Sequence, residues 1–515
     1  MGTTSRLHHR ACIHARPEHG GNSCRPGRKR RVLTAAAAGC AALFTLAGCA
    51  VGPDFVRPDP PPVERYTREA DPSATIVANG REQRFDRRAK IVGDWWLLFL
   101  SARLDATVKE ALSGNPGVQA AQASLRQSQD NLRAGYGVFF PQADGSFDAT
   151  RQKYSPARIG SGSPPSIFNL FTLSATVSYA LDVFGAERRT VEGLKAQVDV
   201  QKATLRGTYL ALTGNVVNTV IARAAYKAQI NATEQIIGLQ QEQVAVSEAQ
   251  ARAGTVPYAN VLSLKSQLAS FEAQLPPLKQ KLSQTGHLLA TLAGRTPSEY
   301  APPHVDLGDI RLPPDLPITL PSDMVRQRPD ILAAEAALHA ASAEIGVATA
   351  ALFPSFTLNG SYGQNNTSLD SLFWKSGNFW SMGADVSAPL FHGGTLWFRR
   401  KAAIEGYRQT LSTYRQTVLG AFAQVADTLR ALEHDAEALR AQTEALRTAR
   451  ESLRLIQANH QAGVVNYLQV LTADSQCHQA ELGFLQAQAQ RLQDTVALFV
   501  ALGGKWDETG SAGAE

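Results

Sequence analysis

The sequence predicts an α+β membrane protein made of two copies of one unit, each with a pair of barrel strands followed by a very long helical hairpin. Three observations lead there: an internal repeat at constant offset, segments that alternate apolar and polar residues, and two helical stretches of unusual length with few Gly and no Pro. With 515 residues, 44% hydrophobic and 19% charged, the chain is long enough for several cores and is excluded from intrinsic disorder. Five cysteines in this length exclude a disulfide scaffold.

The N-terminus reads as a targeting segment. Residues 1–48 hold eight Lys/Arg and one Glu, a net of +7, which leaves 43 basic and 44 acidic residues and a net of −1 for the rest. A basic balance confined to such an extension is not a nucleic-acid footprint, which has to lie on the folded surface. Nucleic acid is therefore dropped as a partner. Arg28-Lys29-Arg30-Arg31 form the positive region, and the apolar run Val32 to Thr45 is too short and Ala-rich for a stable membrane span. The run ends in Leu46-Ala47-Gly48-Cys49, similar to a bacterial lipobox, in which the Cys sulfur receives a diacylglyceryl group. Cys49 is the expected lipid attachment residue and 1–48 the signal peptide. Position 50 is Ala, not the Asp that retains lipoproteins at the inner membrane, so the expected location is the outer membrane, lipid-anchored and extending into the periplasm. Cleavage removes Cys12, Cys24 and Cys40, and lipidation consumes Cys49. Cys477 is then the one free thiol, expected as a small buried residue on a helix.

The repeat follows an extended segment 49–100. Asn115-Pro116, Ala120, Ala121, Leu125 and Phe140-Pro141 recur 213 residues later as Arg328-Pro329, Ala333, Ala334, Leu338 and Phe353-Pro354. Val177, Ser178, Gly185, Gly254, Val261 and Leu262 recur 209 residues later as Val386, Ser387, Gly394, Gly463, Val470 and Leu471. Two constant offsets mean a duplicated unit with a small length difference in one loop. The first unit spans 101–310 and the second 311–504, with 505–515 as a tail. Each reads helix, strand, loop, strand, very long helix, short break, helix.

The strand pairs are expected at about 139–184 and 353–391. Phe171, Leu173, Ala175, Val177, Tyr179 and Leu181 alternate with Thr172, Ser174, Thr176, Ser178 and Ala180, which has the period of a strand with one apolar face. Trp380, Met382, Ala384 and Val386 alternate with Ser381, Gly383, Asp385 and Ser387 in the second copy. Such strands after a lipoprotein signal fit a transmembrane barrel, although the alternation alone also permits a soluble half-buried sheet. The Gly/Ser/Pro/Asn-rich connections 155–170 and 363–378 favour the barrel. Phe373, Trp374, Phe379 and Trp380 are placed to form an interfacial aromatic girdle. Four strands cannot close a membrane barrel, so the chain must oligomerise to span.

The long hairpins are expected at about 186–295 and 394–503. Their outgoing helices, about Ala186 to Arg252 and Thr395 to Ala462, are on the order of 100 Å long at 1.5 Å per residue. Val425, Leu432, Leu439, Leu446 and Leu453 fall every seven residues, the spacing of a coiled-coil seam. The breaks Ala253-Gly254-Thr255 and Ala462-Gly463-Val464 end them, where a chain reversal needs positive φ.

At this point the chain resembles the outer-membrane factors of bacterial tripartite efflux systems, the TolC-like and OprM-like lipoproteins of NodT type. The resemblance rests on Cys49-Ala50-Val51-Gly52-Pro53-Asp54-Phe55 with its Pro-rich continuation, on Trp95-Trp96 ahead of Leu104 and Asn115-Pro116, and on the duplication. It implies a homotrimer in which four strands per chain make one 12-stranded barrel in the outer-membrane lipid, continuing into a periplasmic α-helical coiled-coil barrel. It also implies passive conduction of drugs or other small molecules from a periplasmic adaptor (membrane fusion protein) and an inner-membrane pump of RND or MFS type. The two breaks resemble the tips where adaptor hairpins dock. In the family, acidic residues beyond the second tip ring the entrance. The matching positions here are Gln469 and Thr472, neither acidic, with Asn260 equivalent to Gln469 in the first repeat, so amide hydrogen bonding is the expected closure; Asp474 is the nearest acid. The alternative is a lipid-anchored periplasmic coiled-coil adaptor or scaffold without a pore, which would carry a lipoyl-like or β-barrel domain beside one hairpin instead of duplicated strand pairs.

No catalytic chemistry is readable. The seven His after the signal segment have no metal-ligand spacing, and HExxH, GxSxG, Walker-A and dinucleotide-binding patterns are absent from the sequence. No cofactor or metal is expected beyond the lipid on Cys49, and no enzyme activity.

Overall fold

A computed structural model describes residues 50–69, 71–87, 93–155 and 164–504; the signal segment, Cys49 and the tail 505–515 lie outside the described residues. The first half contains β1 (Arg84–Asp86), α1 (Ala102–Gly114), α2 (Pro116–Gly135), β2 (Gln142–Tyr154), β3 (Ser166–Leu181), α3 (Ala186–Arg252), α4 (Tyr258–Glu272) and α5 (Leu275–Leu292). The second contains β4 (Asp315–Pro317), α6 (Pro321–Val325), α7 (Pro329–Ala350), β5 (Ser355–Asn366), β6 (Asn378–Ser387), α8 (Thr395–Gln461) and α9 (Tyr467–Ala501).

Both outgoing helices have 67 residues, on the order of 100 Å. Helices that long survive only by lateral packing. α3 packs on α7, α2, α5 and α9, and α8 packs on α9 and α7. Along the α8 seam Val425, Leu432, Leu439 and Leu446 are buried and Leu453 half-buried. The first return path is not one helix: it breaks after Glu272 and restarts at Leu275, because Pro276 and Pro277 lack the N–H groups a continuous helix would use. The second, without Pro, runs unbroken for 35 residues.

The repeated X-Pro pair starts the short helix of each half by different means. Asn115 caps α2, its Oδ1 accepting from the N–H groups of Gly117 (2.8 Å) and Val118 (3.2 Å). Arg328, at the equivalent position, is buried and donates instead to the Ala501 carbonyl (2.7 Å) and to Gln424 (2.9 Å).

The main core lies midway along the helices, where the N-terminal segment and the linker between the halves wrap them. Trp95 stacks on Phe499 at 5.3 Å, and Phe99, Leu104, Val108, Val217, Ile221 and Val425 fill the space around them. β1 and β4 pair in parallel there, Phe85 opposite Leu316, and tie the N-terminal segment to the linker. Arg491, 1% exposed, fixes the same segment by donating to Gln83 Oε1 and Thr75 Oγ1, both at 3.0 Å. Cys477, expected buried, is half-buried, and its surroundings raise its thiol pKa mainly by desolvation.

Candidate functional site: a barrel wall above two helical tips

β2, β3, β5 and β6 form one antiparallel sheet in that order. Its register decides which residues share a face. Phe147 lies opposite Leu173, Ala175 opposite Tyr362, Tyr362 opposite Trp380, Gly360 opposite Met382, and Phe356 opposite both Leu181 and Val386. Directly opposed residues point the same way, so the apolar sets of all four strands coincide on one face. The other face carries Asp144, Ser146, Asp148, Thr172, Ser174, Thr176, Asn359, Ser361, Ser381 and Asp385. Serines pair across it, Ser146 with Ser174 at 2.9 Å and Ser361 with Ser381 at 2.7 Å.

From Phe171 to Leu181 the apolar face of β3 is unbroken at every second residue. Ten steps of 3.3 Å at a tilt of about 40° give a band about 25 Å tall, the height of a barrel's lipid-facing belt. Trp380, Met382 and Val386 on this face are 69%, 83% and 62% exposed, with Phe373 and Trp374 exposed in the adjacent loop. Phe379, expected in the same girdle, is opposite Gly363 on the polar face, because neighbouring strand residues point to opposite sides. Within the chain, β2 and β6 each leave one edge without a strand partner.

At the other end of the strands, Gly185 (φ +79) turns β3 into α3. Ala50 lies against Gly185, and the Val51 N–H donates to the Phe184 carbonyl at 3.0 Å. Gly52 meets Gly346 so closely that a Cβ at 52 would stand 2.5 Å from the Gly346 Cα. Arg189 Nη2 binds Asp54 at 2.7 Å, and Phe55 stacks on His339 at 4.4 Å. The residues that follow Cys49 are thus held at the helical edge of the sheet; Cys49 itself lies outside the described residues.

The opposite ends of the hairpins are built alike. Gly254 and Gly463 have φ +73 and +74. The Thr255 N–H donates to Gln250 O and the Gly254 N–H to Ala251 O, and the Val464 and Gly463 N–H groups repeat this on Asn459 and His460. Both are Schellman ends, in which positive φ lets the last carbonyls find donors. Ala253, Gly254, Thr255, Ala462, Gly463 and Val464 are all exposed. Asn260, Gln469 and Thr472 are exposed on the return helices just beyond, the Thr472 hydroxyl donating to Leu468 O at 3.0 Å.

Asp474 does not join them. It is 4% exposed and faces α3, where Gln240 Nε2 donates to it at 2.5 Å, and burial raises its pKa. The adjoining contacts also tie α9 to the first hairpin. The Tyr467 hydroxyl donates to Gln243 Oε1, Gln267 Nε2 donates to Ser475 Oγ at 3.4 Å, and His478 meets Phe271 edge-on at 5.2 Å. Burial lowers the His478 pKa. These partners lie more than 200 residues apart in the chain, and no local spacing signals them. Among the described residues no group of three or more His, Cys, Asp or Glu is arranged to hold a metal.

Comparison with known proteins gives a consistent picture. Residues 107–295 and 320–504 match the family described as outer membrane efflux protein. The pyoverdine export outer membrane protein OpmQ of Pseudomonas aeruginosa is 30% identical over 438 residues, 84% of this chain and 90% of that protein. The toluene efflux pump outer membrane protein TtgF of Pseudomonas putida is 26% identical over 484 residues, 90% and 96% of the two. The solved outer-membrane channel OprN superposes with a TM-score of 0.79 at 26% identity, covering 89% of this chain and all of that one.

Proposed function

Because the chain belongs to the outer membrane efflux protein family and is the outer-membrane channel of a tripartite efflux pump, not an enzyme, we propose that three copies close one barrel and one helical duct. The observation that carries this is the register: the apolar residues of all four strands fall on one face, in a band about 25 Å tall along β3, and the sheet keeps two free edges. A free edge strand demands a partner, and joining the β6 edge of one copy to the β2 edge of the next removes every edge. A lipid-anchored scaffold has no use for such a sheet.

Cys49 carries the lipid. Ala50, the next residue, rests against Gly185 at the helical edge of the apolar band, which is the height at which acyl chains would enter the inner leaflet. The tips at Ala253-Gly254-Thr255 and Ala462-Gly463-Val464 dock a periplasmic adaptor that joins the duct to an inner-membrane pump of RND or MFS type. Their exposure and matched Schellman geometry give the trimer six similar ends. Asn260, Gln469 and Thr472 narrow the closed entrance by amide and hydroxyl contacts between copies. The contacts of Tyr467 with Gln243 and Asp474 with Gln240 hold α9 against the first hairpin in the closed arrangement, and adaptor binding favours the arrangement that lacks them. The relatives' names mention pyoverdine and toluene, and the cargo here belongs to the same broad class of small exported molecules.

The test is conductance of the mature lipoprotein in planar bilayers together with its oligomer mass, with Tyr467→Phe recorded in parallel to loosen the closed tip. Long-lived unitary steps from a trimer are expected. A monomer without conductance in both forms would leave only the scaffold. Unchanged conductance in Gln469→Ala would remove that residue from the gate.

A further inference from the structure

The two faces of the sheet differ in charge as well as in polarity. Along the four strands, the polar face carries Asp144, Asp148 and Asp385 and no Lys or Arg, whereas the only basic strand residues, Arg151 and Lys153, stand on the apolar face near the loop end of β2. Polar residues face the water-filled interior of a membrane barrel, so the acids line the lumen and the bases do not. The three acids are not a cluster. Through the register they align with Ala180 (Asp385, across Thr357), Thr176 (Asp144) and Thr172 (Asp148), four residues apart along β3, or about 13 Å per step. The entrance residues Asn260, Gln469 and Thr472 are all uncharged.

We propose that the barrel wall, through Asp144, Asp148 and Asp385, sets the charge preference of this channel, and that it favours cations, including cationic cargo, over anions. The inference rests on the channel reading above. Three copies stack three rings of three carboxylates. For twelve strands 4.8 Å apart and tilted about 40°, the backbone lies about 12 Å from the axis. That compares with a Debye length of about 10 Å at 0.1 M salt and about 3 Å at 1 M. The rings therefore act on an ion at the axis in dilute salt and are screened out in concentrated salt. On β2, Asp144 and Asp148 stand about 13 Å apart along the strand, a little over one screening length at 0.1 M salt, so each adds its own contribution.

The experiment is the reversal potential of single channels in a KCl gradient, at about 0.1 M and 1 M mean salt, for the native protein, for D144N/D148N/D385N and for R151Q/K153Q. The native channel should prefer K+ over Cl− by roughly three- to tenfold in dilute salt and less than about twofold at 1 M. The triple Asn variant should fall below about twofold at both, each single Asn change should give a partial loss, and R151Q/K153Q should match the native value. All of these side chains are exposed in the chain, so the substitutions do not disturb a packed core. Conducting trimers with no cation preference, a preference that survives the triple change, or an equal shift in R151Q/K153Q would each overturn the proposal while leaving the channel intact. Absence of unitary steps from every form would instead overturn the channel reading and this inference with it.

Discussion

At the first strand-to-helix junction Gly185 takes φ +79, and at the second Gly394 takes φ +85, so the duplicated backbone turns the same corner twice. The side chains around the two corners have little in common. At the first, Asp182 accepts the N–H groups of Glu187 (3.1 Å) and Arg188 (2.9 Å), and Arg189 is buried between Asp54 and Glu192, 2.7 Å from each. The positions 209 residues on are Phe391, Trp397, Phe398 and Lys401 in place of Asp182, Arg188, Arg189 and Glu192. Phe391 is 89% exposed and Phe398 64%. The first corner is covered by the chain's own N-terminal segment and has become a polar clasp. The second lies beside the free β6 edge and leaves its aromatic side chains exposed in the single chain. A repeat keeps its backbone and diverges where its neighbours differ.

The sharpest way to break that comparison is to add a side chain at each glycine. At Gly185 a Cβ would stand 2.6 Å from the Ala50 backbone, whereas at Gly394 the nearest atoms belong to the movable Phe398 ring, 3.3 Å away. Both substitutions carry left-handed strain of about 1–2 kcal/mol. Gly185→Val adds overpacking of about 1–3 kcal/mol and should expel residues 50–55 from the junction. Protease release of the N-terminal segment should rise sharply in Gly185→Val and not in Gly394→Val. Equal release in both would mean that the segment does not seat on the first corner.

Next in size is Arg189→Ala, which strips the clasp of its donor. The pair is mixed in character: the Arg189 side chain is 6% exposed, but its partner Asp54 is 92% exposed, so solvent takes up much of the loss. About 2 kcal/mol is expected in the docking of the segment, which is still held by the Phe55–His339 stack and by Arg57 on Glu335 at 2.8 Å. Hydrogen exchange of residues 50–57 should accelerate on the order of 30-fold, the factor that 2 kcal/mol corresponds to. Phe398→Ala should leave that exchange unchanged and weaken the trimer instead.

These contacts also mark the limit of what the sequence makes legible. Period-two alternation marked β3 and β6, although β3 starts at Ser166 and β5 ends at Asn366, inside the segments read as connections; the scarcity of Gly and Pro marked both long helices, because a single face or a single helix is a local pattern. The tips were legible through Gly254 and Gly463, since positive φ has a residue-type preference. Partners with no periodic relation to each other were not. Trp95 on Phe499, Arg189 on Asp54 and Gln240 on Asp474 join distant segments whose own neighbours say nothing of the meeting. Asp474 illustrates the consequence. By spacing it is the acid nearest the proposed entrance residues, yet one helical face decides that it points into the protein while Thr472 points out.

The tips repeat the comparison on a smaller scale. Asp474 corresponds to Lys265 of the first hairpin, one buried on Gln240 and the other exposed on Glu248 at 2.8 Å. Burial raises the Asp474 pKa. A raised carboxyl favours the folded state at pH below the unfolded carboxylate range, near 4, and that contribution is lost as pH climbs through the raised value. At neutral pH the buried carboxylate is therefore a liability. Asp474→Asn keeps an acceptor for Gln240 Nε2 and adds a donor for Gln240 Oε1, which is buried without a partner. A gain of about 1–2 kcal/mol is expected near neutrality, larger at pH 8 than at pH 5, read as the melting temperature of the solubilised protein. A loss of stability at both pH values would show that the carboxylate itself is needed at this contact.

Smallest of all should be Lys265→Ala. The Lys265–Glu248 pair raises the lysine pKa and lowers that of the glutamate, chiefly through their hydrogen bond, but both side chains stand in solvent, 45% and 34% exposed. Exposed pairs lose to screening and side-chain entropy most of what their geometry promises. No shift in melting temperature should be measurable at about 0.15 M salt. The result discriminates because exposure here refers to the single chain. Should the substitution destabilise the trimer, and do so equally at 1 M salt, the first tip would be covered by a neighbouring copy. The contrast between a solvated first tip and a buried second one would then belong to the chain alone and not to the assembled entrance.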